Sequence, residues 1–284
     1  MNSLRQSIFP ITEHVPDQMP RKWLEAVHCP LYVDQVCQGK VPLTIERRIG
    51  FPITKKISKR ASYTCGGTWL AAKLALIHGY AANSAAGSHH AKRATGAGYC
   101  VFNDLAVTAN KLICSRKTKR VLIIDLDVHQ GDGTAQILGG RDDTFTFSIH
   151  AEKNFPVRKA QSDLDIGLPD GIDDDGYMEV LEKNFQHVLD AFQPTLVLYQ
   201  AGVDPHKEDK LGRLSLTDKG LEKRDRFVVQ KTRERLIPIA STLGGGYGDD
   251  QQEIADRHAR SIIAMADENR LCSLSKKISK KPLP

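Results

Sequence analysis

Residues 125–132 place three aspartates and one histidine directly after the apolar run VLII at 121–124. Asp127 and His129 are two positions apart, so both side chains project to the same side of an extended segment and can converge on one ion. Buried carboxylates that lie this close together repel each other unless a cation neutralises them. The segment is therefore either a solvated loop or part of a metal site.

A further carboxylate, Asp204, follows the apolar run TLVLYQ at 195–200. Together with Asp127 and His129 it would give a site whose two negative charges balance a divalent cation. Three protein ligands leave one position open for water, which is typical of catalytic rather than structural zinc. Bound zinc lowers the pKa of that water towards about 7 and polarises a carbonyl group. Taken alone, Asp204 before Pro205 would indicate only a turn.

Two more polar clusters follow apolar runs, the pair His89 and His90 and the phenol Tyr247 after three glycines. They would supply imidazoles for proton transfer and one hydroxyl donor. Cys100 could act as a nucleophile beside the histidines, but its apolar neighbours in GYCVFN are typical of a buried, unreactive thiol. The glycines of GGGYG do not have the G-x-G-x-x-G spacing of a dinucleotide-binding loop. Four such clusters favour one shared site over four independent turns.

Short apolar runs alternate with amphipathic segments along the chain, which predicts a parallel sheet covered by helices on both faces. In such sheets ligands bind outside the carboxyl ends of the strands, where these four clusters fall. A region at 23–37 is predicted to be helical but broken at Pro30, and 47–60 is predicted to be a connector. The strands are predicted at 80–87, 120–126, 143–150, 195–202 and 236–246, and the helices at 66–79, 103–113, 176–192, 217–235 and 249–265.

The bulk composition excludes little. The chain has 284 residues, a formal charge of +6 and six cysteines without a CxxC pair, and it begins without the apolar stretch of a secretory signal. No segment approaches the length that spans a membrane. Basic clusters at 55–60, 116–120 and 276–281 are typical of solvated loops and tails, so nucleic-acid binding is not favoured. We expect a soluble cytoplasmic protein, or a nuclear one if the source is eukaryotic.

Four motifs occur in an order that resembles the zinc-dependent histone deacetylase family, most closely its bacterial and class IV-like branch. They are GSHHAKRATGAGYCVFND at 87–104, IDLDVHQGDGTA at 124–135, YQAGVDPHKEDKLGRLSLT at 199–217 and LGGGY at 243–247. The resemblance implies the arginase–deacetylase fold, a single three-layer α/β/α domain over 1–284 with a mainly parallel sheet of about eight strands. The catalytic core would span 62–270, followed by a basic tail at 271–284. Residues 1–60 match the family poorly, so an edge strand and part of the channel rim are expected to be absent or rebuilt.

The resemblance also implies roles for individual residues. The metal ligands would be Asp127, His129 and Asp204, holding Zn²⁺ or, alternatively, Fe²⁺. Among the catalytic groups, His90 would be the general base and acid, and His89 its electrostatic partner. Asp125 would orient His89, and Asp132 would orient His90. Tyr247 would donate a hydrogen bond to the oxyanion. The substrate channel would be lined by Gly98, Tyr99, Phe155 and Leu211. A structural K⁺ or Na⁺ would be bound by Asp125, Asp127, His129, Ser148 and Ile149.

The implied reaction is hydrolysis of the Nε-acetyl amide of lysine to free lysine and acetate, on a protein or on a small amine. Two alternatives stay open within the enzymes, an acetylpolyamine amidohydrolase and a hydrolase of long-chain fatty-acyl-lysine. A catalytically silent acyl-lysine-binding scaffold is the alternative of another class. Tyr99 departs from the family pattern, where Phe is more frequent, and adds a hydroxyl to the channel wall. The oligomeric state is not predicted.

Overall fold

A computed structural model describes residues 1–279 of the chain, and its core is a sheet of six parallel strands. The strand order is β1-β6-β5-β2-β3-β4, and every pairing is parallel. The central strands β2 and β5 are buried along their whole length, as parallel strands covered on both faces must be. The strands are β1 (Tyr80–Asn83), β2 (Val121–Asp125), β3 (Thr144–Ala151), β4 (Leu164–Leu168), β5 (Leu196–Gln200) and β6 (Ile239–Thr242).

Ten helices within the described residues surround this sheet. They are α1 (Asn2–Arg5), α2 (Arg21–Glu25), α3 (Pro30–Gln38), α4 (Leu43–Ile49), α5 (Lys55–His78), α6 (Asp104–Cys114), α7 (Asp132–Leu138), α8 (Asp174–Phe192), α9 (Asp218–Glu234) and α10 (Gln251–Ser279). None of them is long and apolar enough to cross a membrane. The predicted basic tail at 271–284 is helical as far as Ser279, at the end of α10, and 280–284 lie outside the described residues.

The two faces of β2 show how the layers form. Leu122 and Ile124 belong to one buried apolar cluster, which includes side chains of α8 and α9. Val121 and Ile123 belong to a second cluster, which includes side chains of α3, α5 and α6. Alternate residues of a strand point to opposite faces, so one apolar run serves both cores. The predicted α/β/α arrangement is therefore confirmed, with six strands in the described residues rather than about eight.

The strand count differs from the prediction because the N-terminal region is helical. No strand precedes Tyr80 in the described part of the chain, and prolines mark where its helices begin. Pro20 and Pro42 directly precede α2 and α4, and Pro30 is the first residue of α3. Proline is suited to the first turn of a helix because its fixed φ fits and its missing N–H needs no partner there. The predicted break at Pro30 is confirmed.

The predicted connector at 47–60 is wrong at both ends, because α4 continues to Ile49 and α5 already begins at Lys55. The Thr54 hydroxyl caps it by accepting a hydrogen bond from the Ile57 amide at 3.3 Å. Gly66, the predicted first residue of a helix, lies inside α5. A Cβ at that position would be 1.8 Å from the Asp17 carbonyl oxygen, so glycine lets the N-terminal segment cross the helix closely. The Met19 amide bonds the Ser62 carbonyl at the same crossing.

A lysine between two tryptophans joins the N-terminal region to the helical layer. The Lys111 ammonium of α6 lies 4.9 Å from the ring centroid of Trp23 in α2 and 4.5 Å from that of Trp69 in α5. A cation over an indole face is attracted by the negative face of the ring. Three helices thus meet at one side chain.

Candidate active site

The predicted metal ligands meet at the carboxyl ends of two adjacent strands. Asp127 and His129 follow β2 and Asp204 follows β5, and β2 and β5 are hydrogen-bonded neighbours. One donor atom from each residue lies within 4.8 Å of the other two, and all three residues are buried. His129 Nδ1 is 3.0 Å from Asp127 Oδ1 and 3.0 Å from Asp204 Oδ2.

The remaining carboxylate oxygens are held by backbone amides. Asp204 Oδ1 accepts a hydrogen bond from the Val128 amide at 2.8 Å, and Asp127 Oδ2 accepts one from the Gly245 amide at 2.7 Å. Burial and the neighbouring Asp127 raise the pKa of Asp204 to about 7. Two buried carboxylates this close are stable as anions only beside a cation. The donor set, two carboxylates and one imidazole, therefore fits a divalent metal ion.

The glycines before Tyr247 pack directly against the metal-ligand carboxylates. A Cβ on Gly245 would lie 2.0 Å from Asp204 Oδ2, and a Cβ on Gly244, whose φ is +74°, would lie 2.8 Å from the Cα of Gly202. Any larger residue would displace a ligand or the backbone that carries it. The GGGY sequence is thus explained by close packing against the site.

The tandem histidines have opposite ionisation preferences although their ring centroids are only 4.0 Å apart. His89 Nδ1 donates to Asp125 Oδ2 at 2.7 Å, and His90 Nδ1 donates to Asp132 Oδ1 at 2.8 Å. Burial opposes the charged form of His89, but the negative charges of Asp125 and Asp127 outweigh it and raise its pKa to about 9. Burial and the charge of His89 lower the pKa of His90 to about 4, against the pull of Asp132. Such divergent pairs are typical of acid–base sites.

Lys92 is a site residue that the sequence reasoning missed. Its ammonium lies 2.8 Å from Asp132 Oδ2, the oxygen that His90 does not use. Asp132 thus bridges a histidine and a lysine, and these two partners lower its pKa although burial acts in the opposite direction. Lys92 follows the HHA sequence directly, which was the available signal.

Two of the predicted channel residues, Gly98 and Phe155, pack against His90. The ring of Phe155 stands edge-on to His90 with centroids 4.8 Å apart, and a Cβ on Gly98 would be 2.6 Å from His90 Cδ2. Tyr99, Phe155 and Leu211 are 56%, 42% and 45% exposed, whereas His90 is 4% exposed. We call these three exposed side chains the rim, and the metal-ligand triad with the two histidines the floor.

Tyr247 and Asn154 connect the floor to the rim. The Tyr247 ring lies 6.0 Å from the rings of both His129 and Tyr99. Burial and the charges of Asp127 and Asp204 raise the pKa of its phenol above the usual range, so the hydroxyl keeps its proton. Asn154, not predicted, donates to the Leu211 carbonyl at 2.6 Å, and its amide nitrogen lies 3.5 Å from His129 Nε2.

Two of the predicted monovalent-cation residues, Asp127 and His129, belong to the metal triad, and the other three lie on β2 and β3. Asp125 of β2 and Ser148 of β3 are register partners, and both line a small cavity of about 10 Å³. The Ser148 hydroxyl also bonds His150 Nδ1 at 2.9 Å. Ile149 is buried in the sheet. Binding of a monovalent cation here stays a prediction.

A buried ion pair on α9, also missed, holds the two loops that carry the metal ligands. The Arg224 guanidinium donates to the carbonyls of Leu126 at 3.1 Å and Gly202 at 2.8 Å, which lie just before Asp127 and two residues before Asp204. Its Nε donates to Asp225 at 2.8 Å. Asp225 in turn accepts from the hydroxyls of Tyr199 and Ser261. Both members of the pair are fully buried.

The geometry defines an α/β protein whose strands carry, at their carboxyl ends, a buried Asp-His-Asp cluster that fits a metal ion and two adjacent histidines. A protein-family model of the histone deacetylase domain matches residues 1–263, a range that includes the N-terminal region. The chain therefore belongs to the histone deacetylase family, a family of hydrolases.

Three relatives illustrate the range of similarity. An uncharacterized protein of Picosynechococcus sp. is 44% identical over 252 residues, covering 89% of this chain and 84% of that protein. Histone deacetylase 2 of Arabidopsis thaliana is 32% identical over 206 residues, or 72% of this chain and 51% of that protein. Human histone deacetylase 1 is 34% identical over 178 residues, or 59% of this chain and 36% of that protein. The chain thus matches only part of the two named deacetylases.

Proposed function

We propose that the protein hydrolyses the Nε-acetyl amide of lysine, with Zn²⁺ as the metal that Asp127, His129 and Asp204 would hold. The observation that carries the proposal is the meeting of this donor set with a neutral histidine, His90, and a protonated phenol, Tyr247, beneath an apolar rim. These groups supply a base, an acid and an oxyanion donor for amide hydrolysis. Fe²⁺ suits the same donors and is the alternative metal.

The side chains divide the reaction between them. When bound, a divalent metal ion supplies Lewis-acid activation of water and of the amide carbonyl. His90, oriented through Nδ1 by Asp132, is neutral at pH 7, so its Nε2 accepts the proton that water loses as it attacks. The same nitrogen then gives a proton to the departing lysine amine. Tyr247 donates its hydroxyl to the carbonyl oxygen as negative charge develops there.

Two features support the wider assignments. The hydroxyl and imidazole donors are in place beside the triad, which favours an enzyme over a silent acyl-lysine-binding scaffold. The thiols of Cys29, Cys37, Cys65, Cys100 and Cys114 form no disulfide, which supports a cytoplasmic protein. Acetylpolyamines and long-chain fatty-acyl-lysine remain alternative substrates for the same chemistry, and a structural K⁺ or Na⁺ near Asp125 belongs to the proposal.

The test is release of acetate from an Nε-acetyl-lysine peptide by the zinc-loaded protein. We expect turnover that is lost on chelation and falls by about 10²-fold or more in Tyr247→Phe, because the oxyanion donor is removed. Tyr63→Phe, a change at an exposed tyrosine of α5, is the matched control and should keep full activity. Absence of acetate from every acetyl-lysine peptide, with zinc bound stoichiometrically, would contradict the proposal.

A further inference from the structure

We propose that the rim binds an acidic segment of the substrate, so that the preferred substrate is an acyl-lysine flanked by Asp or Glu. The inference rests on the proposed function, because it takes the rim as the entrance for an acyl-lysine. Its evidence is the charge on the segments that carry the rim residues.

Three arginines beside the rim have no carboxylate partner. Arg47 and Arg48 are exposed at the end of α4, where the carbonyl of Arg48 accepts a hydrogen bond from the Gly98 amide at 2.9 Å. Arg158 is exposed three residues after Phe155. Within the described part of the chain, no Asp or Glu lies at ion-pair distance from any of these three guanidinium groups.

Four carboxylates of the neighbouring segments have partners of their own. Asp209 accepts hydrogen bonds from the amides of Tyr247, Leu211 and Gly212. Asp249 pairs with Lys210. Two more are also engaged, since Glu208 pairs with Arg257 and Asp250 accepts from the first amides of α10. None of these four carboxylates pairs with Arg47, Arg48 or Arg158, so the three guanidinium groups stay open to a carboxylate of the substrate.

Tight contacts fix α4 and its arginines relative to the rim. The Tyr99 amide donates to the Ile49 carbonyl at 2.8 Å, and a Cβ on Gly50 would lie 2.8 Å from the Tyr99 ring. An extended peptide advances about 3.3–3.6 Å per residue, so the residues next to an inserted acyl-lysine pass over this border. Carboxylates there would meet guanidinium groups, which bind them bidentately.

This charge also separates the substrate classes. A polyamine carries positive charge along its length, and a cationic border repels it. An acidic peptide is attracted to the same border, and the attraction weakens as salt screens it. The mouth therefore favours an acidic acyl-lysine peptide over an acetylpolyamine.

The test compares three labelled peptides with one central acetyl-lysine and flanks of Glu, Gln or Lys at the two positions on each side. Binding to the zinc-loaded Tyr247→Phe protein is measured by fluorescence anisotropy, so that it does not depend on turnover. We expect the Glu peptide to bind about three- to tenfold more tightly than the Gln peptide at low salt, and the Lys peptide to bind most weakly. The preference should shrink at high salt. N-acetylspermidine should compete poorly with the Glu peptide.

Arg47→Gln, Arg48→Gln and Arg158→Gln together should abolish the preference. The matched control, Arg116→Gln, Lys117→Gln and Lys119→Gln, removes three positive charges from the loop at the amino end of β2, whereas the site lies at the carboxyl ends of the strands. This control should keep the preference. Equal binding of the three peptides, or a preference that survives the rim variant, would overturn the inference. If the arginines serve only to stabilise the end of α4, the rim variant loses thermal stability while the preference persists.

Acetate release by the unmodified protein from the same peptides judges the proposed function separately. Turnover of all three peptides at equal rates leaves the deacetylase proposal standing and removes the acidic preference. Preferential binding of the Glu peptide without acetate release supports the cationic border and removes the proposed activity.

Discussion

On the floor of the site, each carboxylate oxygen of Asp127 and Asp204 has a backbone amide or a histidine as partner, and Arg224 holds the loops beneath them. On the rim, three apolar or aromatic side chains stand partly in solvent above this network. The floor tolerates almost no displacement, since even a methyl group on its glycines would collide with a ligand. The rim side chains are less constrained, except that Phe155 packs against His90 of the floor. Under the proposed function, the floor would carry the chemistry and the rim would contact the substrate.

The largest expected effect comes from breaking the floor at a metal ligand. Asp204→Asn removes one of the two negative charges in the triad and should weaken zinc binding by more than about 100-fold. That loss exceeds the one expected for a residue that only hydrogen-bonds to a metal ligand. The metal-free variant should be at least as stable as the metal-free parent, because the repulsion with Asp127 is relieved. Zinc competition with a chelating dye and thermal unfolding without metal measure the two effects. Asp190→Asn, at an exposed surface pair, is the control, and equal zinc affinity of the two variants would contradict the assignment.

The next effect tests the support beneath the floor. Arg224→Met leaves the buried carboxylate of Asp225 unpaired and should lower the free energy of unfolding by about 3–5 kcal/mol. Arg226→Met, two residues along the same helix and part-exposed, should cost less than about 1 kcal/mol. Urea unfolding compares the variants. A loss of similar size in both would show that α9, and not the ion pair, carries the effect.

A third effect concerns His28, which braces the loop of the tandem histidines. Its Nδ1 donates to the Lys92 carbonyl at 2.9 Å, and its Nε2 accepts from the Asn103 amide at 2.9 Å, so the buried ring is neutral. Burial lowers its pKa to about 4, although the backbone bonds at Lys92 and Arg93 act against this. The unfolded chain has the ordinary value near 6.5 and therefore takes up this proton first as the pH falls.

The stabilisation from His28 is thus complete above about pH 6.5 and is lost towards pH 4, by up to about 3 kcal/mol. The pKa values of His150 and His258 are also lowered by burial, so the informative quantity is the difference in unfolding free energy between the parent and His28→Gln. We expect this difference to narrow between pH 7.5 and pH 5. A difference that stays constant over that range would contradict the buried neutral ring.

The smallest effect sharpens the contrast at the rim. Tyr99→Phe removes only a hydroxyl from a side chain that is more than half exposed, so kcat/KM for an acetyl-lysine peptide should change by less than about twofold. Phe155→Ala, its comparison at the same rim, removes the ring packed against His90 and should lower kcat/KM far more. If Tyr99→Phe had the larger effect, the hydroxyl would have to be part of substrate recognition.

The floor residues could be predicted because their positions follow from short sequence spacings and from the ends of neighbouring strands. Asp127 and His129 follow a buried strand two positions apart, and parallel strands deliver their carboxyl ends to one edge. Arg224 and Asp225 also had a signal, since they occupy the buried face of α9 together with Leu221 and Val228. They were not predicted as buried because isolated charged residues are normally exposed, and the pairing that allows burial is not visible in the sequence.

Other features depend on tertiary packing and had weak local signals. The edge strand β4, LDIGL, contains a glycine and an aspartate and so lacks a continuous apolar run. The contacts of Asn154 and Lys92 are set by segments that are distant in sequence or by loop geometry. In the N-terminal region, the helices start at prolines. Which of their side chains are buried depends on packing against α5 and α6, and not on a clear apolar pattern of their own.

The lysine between Trp23 and Trp69 has a practical consequence, because these are the two tryptophans of the chain. Ultraviolet emission from the protein therefore originates at the seam where the N-terminal helices join the rest of the molecule. A change in that emission will report separation of the N-terminal helices from α5 and α6 rather than an event at the metal triad. The intrinsic tryptophan fluorescence of the protein therefore reports whether its N-terminal helices remain packed against the rest of the molecule.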